Sequence, residues 1–297
     1  SKYGLIFFIP KKSYNEPIST NHPSHMKEYK IVAITQVHNE LRKGNLERFF
    51  TYITPNVDAV VVYDDVSTDG SYEYAKTKTE YTIRGKKNKF TAEWEIKQKL
   101  VEKALTLNPD FILLIDADEV VTDTDGKKLQ KLAGWIIEKD LDGAYVHDIN
   151  LWRSRSWKRV DSDFDLAIFP RFWRVGKEKL TYTNRKAGLH QSPTPDQIQK
   201  LERQDIVSFL HFGFADEKNI VAKYLQYSSR GQRGENLARF INEIGLLRTE
   251  KVDRQLYPNG LWLDDEAPAP LNGTEWYTLI NKYRDEVHRP SISIVCL

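Results

Sequence analysis

From Tyr29 onward, short runs of aliphatic and β-branched residues alternate with segments whose apolar positions recur every three or four residues. Ile31-Val32-Ala33-Ile34-Thr35 reads as a buried strand, and Leu41, Leu46, Phe49, Phe50 and Ile53 follow at helical spacing. Ala59-Val60-Val61-Val62-Tyr63 repeats the strand pattern and runs into the polar turn Asp64-Asp65-Val66-Ser67-Thr68-Asp69-Gly70-Ser71, which is expected to cap a helix through Tyr72 and Ala75. A short strand over Thr79–Arg84, a helix over Thr91–Leu107 and the apolar strand Phe111–Ile115 continue the alternation. This order predicts an α/β fold, a mostly parallel sheet flanked by helices and joined by right-handed crossovers.

The second half is less regular. Leu129, Leu132, Ile136 and Ile137 predict a helix, and Gly143–Ile149, Leu166–Phe169 and Lys179–Tyr182 read as strands between polar loops rich in Trp and Arg. Asp216 is placed to cap a helix through Ile220, Val221, Tyr224 and Leu225, and Leu237–Leu247 predicts another. Residues 1–28 lack periodicity and read as an N-terminal extension. Residues 29–250 form the expected main domain, with its halves meeting near 125, and 251–297 a C-terminal extension ending in a β-branched run that would suit the first strand of a further domain or, equally, an edge strand that closes this one.

Composition narrows the class of function. Hydrophobic residues make up 40% and charged residues 29% of 297, enough for a sizeable core. The net charge of +2 gives no basic footprint, so nucleic acid is not an expected partner. The lone cysteine, Cys296, has no partner for an internal disulfide, and no apolar run approaches the roughly 20 residues of a membrane helix. A cytoplasmic protein is expected, with peripheral association at the inner membrane face left open.

Candidate chemistry gathers at strand ends. Phe111–Ile115 runs straight into Asp116-Ala117-Asp118-Glu119, at the sheet edge where open α/β folds bind ligands. Oxygen ligands one residue apart suit a hard divalent cation, Mg²⁺ or Mn²⁺, that leaves positions for the phosphate oxygens of a diphosphate. Gln36-Val37-His38-Asn39-Glu40 closes the first strand and Asp64-Asp65 the second, so three strand ends converge on one crevice. Asp64 or Asp65 is placed to accept from a nucleobase imide or a ribose hydroxyl. Neither GxGxxG nor GxxxxGK[ST] occurs at these turns, which argues against a dinucleotide dehydrogenase or a P-loop NTPase. Trp152, Trp157 and Trp173, interleaved with Arg153, Arg155 and Arg171, offer a platform for stacking sugar rings, although ordinary packing explains tryptophans equally well.

In order and spacing, Ile31–Glu40, the Asp64–Ser71 turn and Asp116-Ala117-Asp118 resemble the three landmarks of family 2 glycosyltransferases with the GT-A fold, over roughly Tyr29 to Trp152. The resemblance implies a metal-dependent, inverting transferase that moves a sugar from a nucleotide-diphosphate donor to a glycan or glycolipid acceptor. Residues 29–125 would then bind the donor and 126–250 the acceptor. It implies that Asp65 contacts the base and that Asp116 and Asp118 bind ribose and the divalent metal. Gln36 and His38, with Asn39, Glu40 and Asp64 beside them, become donor-site candidates. Lys97 corresponds to a basic residue early in the helix before the DxD strand, although Lys97, Lys99 and Lys103 also suit an ordinary solvated face. The family's catalytic carboxylate follows a segment like Pro170-Arg171-Phe172-Trp173-Arg174. This chain departs from that pattern, offering Leu189-His190-Gln191 there, so His190 is the candidate base, with Asp148 and Asp163 in reserve. His211 resembles the histidine that completes the metal shell in some GT-A enzymes, and Trp152, Arg171 and Trp173 are the acceptor-side candidates.

Two other readings compete. One is a non-catalytic transferase-like domain that binds a glycan or nucleotide sugar or supports another catalytic domain. The other is a haloacid-dehalogenase-like phosphatase using Asp123-Thr124-Asp125-Gly126; against it, that run follows Val120-Val121-Thr122 too soon after the preceding strand for a new strand to end there.

Overall fold

Val, Ile and Leu runs buried at nearly every position require cover on both faces of a sheet, and a computed structural model of the chain provides it. The structure describes residues 28–89, 92–123, 126–161, 167–183, 193–229, 248–269 and 273–288. The helix expected over Leu237–Leu247, the run over residues 291–297, His190 and Asp163 lie outside the described residues.

In chain order the elements are β1 (Ile31–Val37), α1 (Asn45–Ile53), β2 (Ala59–Asp64), α2 (Ser71–Lys78), β3 (Thr82–Arg84), α3 (Glu93–Leu105), β4 (Phe111–Leu114), β5 (Glu119–Val121), α4 (Lys128–Glu138), β6 (Gly143–Asn150), β7 (Trp157–Arg159), β8 (Ile168–Arg174), β9 (Leu201–His211), α5 (Glu217–Ser229), β10 (Thr249–Lys251) and α6 (Gly273–His288). Eight strands form one sheet in the order β3-β2-β1-β4-β8-β6-β9-β5, and β10 pairs with β7 apart from it. Pairing is parallel through β3, β2, β1 and β4 and again between β6 and β9; it is antiparallel at β4–β8, β8–β6 and β9–β5.

Alternation along β1 divides the core. Ile31 and Ala33 join Leu46, Phe49 and Ile53 of α1 and Leu132 and Ile136 of α4 on one face. Val32 and Ile34 join Ile96, Leu100, Val101 and Ala104 of α3 on the other. This two-faced cover is the expected α/β architecture, and it aligns the carboxyl ends of β1, β2 and β4 at one edge.

Three expectations change. Lys179–Tyr182 is not a strand: the Gln98 side chain accepts from Tyr182 N and donates to the Leu180 carbonyl, bonds that a neighbouring strand would otherwise make. A strand does end before Asp123, since β5 pairs with β9, yet Asp123 serves the helix that follows. Its carboxylate accepts from the backbone N–H groups of Lys127 and Lys128 at the start of α4. Residues beyond 250 are built into the body: Val252, Tyr257 and Leu261 pack with Val120, Ile149 and Leu210, and Trp276, Leu279 and Ile280 of α6 pack with Ile220 and Val221 of α5. Among the described residues no helix is long and apolar enough to cross a membrane.

Candidate active site

The carboxyl ends of β1 and β2 are stitched together by their polar residues. Asn39, at φ 56°, accepts from Thr68 N at 2.7 Å and donates its own backbone N–H to Ser67 Oγ. Glu40 binds Lys43 and Asn45, while its backbone N–H donates to Ser71 Oγ. Asp64 is buried, accepts from Ser67 N at 3.0 Å and pairs with Arg84 at 3.0 Å. These three residues hold the turn.

Gln36 and His38 instead converge on Asp65. His38 Nδ1 donates to the Asp65 carbonyl at 2.7 Å, and Gln36 Nε2 reaches its carboxylate at 3.4 Å. Lys89 N and Asn88 Nδ2 donate to the same carboxylate at 2.9 and 3.0 Å. Asp65 is therefore buried behind the 88–89 segment rather than standing as an open acceptor. Burial pushes its carboxyl above the ordinary 3.8, against the lowering effect of the Lys89 N–H.

At the end of β4, Asp116 and Asp118 join residues from four other strands and one helix. Register explains the gathering: His211 of β9 pairs with Glu119 of β5 on one side and Asn150 of β6 on the other. Arg171 of β8 lies at a bulge, since Phe172 faces Ala144 and Pro170 faces Tyr145, leaving Arg171 without an opposite residue. Its guanidinium reaches Glu119 at 3.0 Å, Asp116 at 3.1 Å and Asp148 at 3.8 Å. The Asp116 backbone N–H also donates to Glu119.

This charge network sets the protonation of the site. Burial works against the charged form of Asp116, but Arg171 outweighs it and holds the carboxyl below its ordinary range. Burial acts likewise on Asp118, and the Lys223 ammonium with His211 more than reverses it. Glu119 goes the other way: burial pushes it well above the carboxylate range, with Arg171 only partly opposing. Asp148 is also raised by burial, and its Oδ1 has no hydrogen-bond partner among the described residues. Lys97 is not on a solvated face as its lysine neighbours suggested. Its side chain is 12% exposed, pairs with Glu93 at 3.5 Å and lies in the field of Asp116 and Arg171.

His211 and Asp118 form a second focus. Asn150 donates its amide to the Asp148 carbonyl, which turns Oδ1 toward His211 Nδ1 at 2.6 Å. An amide oxygen only accepts, so Nδ1 carries a ring proton and the imidazole turns Nε2 toward Asp118. That nitrogen is 3.3 Å from Asp118 Oδ2, and Lys223 Nζ of α5 lies 3.0 Å from the oxygen and 3.3 Å from the nitrogen. With Nε2 deprotonated, the same two atoms would offer a divalent ion one carboxylate oxygen and one imidazole nitrogen. Among the described residues no three His, Cys, Asp or Glu side chains form a complete metal cage. A divalent ion on Asp118 and His211, with Asp116 nearby, would draw its other ligands from water or phosphate oxygens.

Two of the three stacking candidates are packed away from any acceptor. Trp173 is fully buried in the sheet core and Trp152 is buried against Phe214 and Ile220, so neither ring presents a face to an acceptor. Arg171 serves the carboxylates instead. Glu119, Asn150 and Lys223 are site residues the sequence reading missed; only Glu119, adjoining the DxD, carried a local signal.

A carboxylate–histidine–lysine cluster thus lies at the carboxyl edge of an α/β sheet, beside a second polar cluster at the ends of β1 and β2. No protein-family model matches the chain, and no curated protein matches it. Among solved structures, glucosyl-3-phosphoglycerate synthase from Mycobacterium tuberculosis, in complex with Mn²⁺ and uridine-diphosphate-glucose, is 17% identical with a TM-score of 0.29 over 40% of this chain and 43% of that chain. S. aureus TarS is 13% identical with a TM-score of 0.39 over 71% of this chain and 42% of that chain. TarS 1-349 is 14% identical with a TM-score of 0.34, over 71% and 69%. The chain thus spans less than half the length of the synthase and of full TarS, and likeness at these scores assigns neither ligand nor reaction to it.

Proposed function

We propose that the chain is a metal-dependent glycosyltransferase of the GT-A type, moving a sugar from a nucleotide-diphosphate donor to a glycan or glycolipid acceptor with inversion. The observation that carries this reading is the convergence of Asp118 Oδ2 and His211 Nε2 on one position beside Asp116. When bound there, Mn²⁺ or Mg²⁺ would act as a Lewis acid toward the leaving diphosphate. Arg171 keeps Asp116 ionised for that role, and Lys97 adds positive charge on the same side. The Asp65 pocket with Gln36 and His38 would take the base, once the 88–89 segment yields its bonds.

In such a displacement the acceptor hydroxyl oxygen bonds to the anomeric carbon, the carbon–phosphate-oxygen bond breaks, and the hydroxyl proton passes to a base. His190, Asp148 and Asp163 remain the candidates. Asp148 is favoured by its raised affinity for a proton and its unpartnered Oδ1.

The test is a melting-temperature titration with UDP, GDP, CDP and dTDP, each with and without Mn²⁺. One nucleotide should raise Tm only when the metal is present, and Asp118→Asn should abolish that response while circular dichroism stays unchanged. Silence across the panel would overturn the donor site and favour a non-catalytic binding domain.

A further inference from the structure

The Lys223 ammonium stands where a divalent ion would be drawn. The same carboxylate oxygen attracts both and the same imidazole nitrogen faces both, and two cations cannot share a point defined by atoms 3.3 Å apart. Gly213 keeps that point clear from the backbone side: a Cβ there would lie 2.6 Å from Asp118 Oδ2, 2.5 Å from His211 Nε2 and closer still to Lys223 Nζ. The bare Cα thus admits a small cation and little more. Lys223 is held on a flexible four-carbon stem, with its side chain 19% exposed and its ammonium 4.6 Å over the Phe214 ring.

We propose that Lys223 is a displaceable internal cation: it holds the Asp118–His211 pair while the donor site is empty and yields that position to the divalent metal, its ammonium passing to the diphosphate that arrives with the metal. The inference rests on the metal-dependent reading above. It makes metal without diphosphate a weaker ligand, because the ion must first displace the ammonium from Asp118. By thermodynamic reciprocity, metal and diphosphate strengthen each other's binding by the same factor. The donor site would thereby avoid loading with bare metal.

The probes are Mn²⁺ alone and Mn²⁺ at fixed inorganic pyrophosphate, titrated into the wild-type chain, Lys223→Met and Lys223→Gln, with free Mn²⁺ followed by electron paramagnetic resonance. Met keeps the length without the charge; Gln keeps an N–H donor and covers the case in which Met does not fold. Removing the competitor should tighten binding of Mn²⁺ alone by about tenfold or more and shrink the enhancement by pyrophosphate. If the wild type binds Mn²⁺ and neither folded variant binds it more tightly, the internal-cation role is overturned and the metal site stands. If none of the three binds Mn²⁺ under either condition, the metal-dependent reading falls and this inference with it.

Discussion

Two adjacent aspartates that look alike in sequence have different work. Asp64 is spent on the turn, through Ser67 and Arg84, while Asp65 is held by Gln36, Asn88 and Lys89. Between this pair and Ser67, Val66 sits at φ 61°, a conformation that costs a β-branched residue about 1–3 kcal/mol and is tolerated where the surroundings over-determine it. The raised carboxyl of Asp65 has a consequence for stability against pH. A group whose folded value lies above its unfolded one stabilises fully below the unfolded value, here near 3.8, and that contribution is lost as pH rises through the folded value. Asp65→Asn, permanently neutral, should therefore show a flatter decline of Tm above pH 4 than the wild type; parallel curves would remove the assignment. The sequence made the DxD and the Asp64–Asp65 turn legible because both sit at the ends of uninterrupted apolar strands. It could not separate the roles of Asp64 and Asp65, which depend on Arg84 and Lys89 arriving from β3 and the loop after it.

At the scale of elements, β8 is the strand on which the site turns. It runs antiparallel between β4 and β6 and delivers Arg171 through its bulge to the buried Glu119 and Asp148 and the exposed Asp116. Burial alone would weaken the guanidinium's hold on its proton, and those carboxylates more than compensate. Arg171→Met should cost about 3–5 kcal/mol, since it leaves Glu119 and Asp148 buried beside Asp116 without a counter-charge. Adding Glu119→Gln should recover part of the loss in a denaturant titration. A single variant with unchanged midpoint would show the network to be dispensable. Strands of continuous apolar character were readable, whereas β5, three residues long, and the polar first half of β9 were not, because their pairing is decided by tertiary register rather than local pattern. The tryptophans misled for a related reason: Arg and Trp alternating in a loop-like stretch look like a binding surface until the partner strands that bury Trp173 are in place.

For the whole molecule, the reading of the first half as α/β held because β1, β2 and β4 are covered on both faces. The second half resisted because its helices do not follow its strands in sequence. The candidate site draws on β4, β5, β6, β8, β9 and α5, so Lys223 lies 105 residues from Asp118 along the chain. Nothing in the periodicity of α5 marks that lysine; its neighbours Ile220, Val221 and Tyr224 define the buried stripe, and only packing shows where the ammonium ends.

That same helix couples the site to the C-terminal segment. Tyr224, next to Lys223, meets Trp276 of α6 edge to face with ring centroids 5.1 Å apart, and Trp276 is almost wholly shielded from solvent. The chain therefore carries its own optical reporter. A departure of the lysine head that turns α5 would disturb the aromatic contact one residue away; Mn²⁺ with pyrophosphate should then change the intrinsic fluorescence, and Trp276→Phe should remove most of that change while leaving the Mn²⁺ titration itself intact. An unaltered signal in that variant would place the reporting indole elsewhere among the seven tryptophans. Occupancy at one edge of the sheet would then be read as emitted light from a helix at the far end of the sequence, without any label.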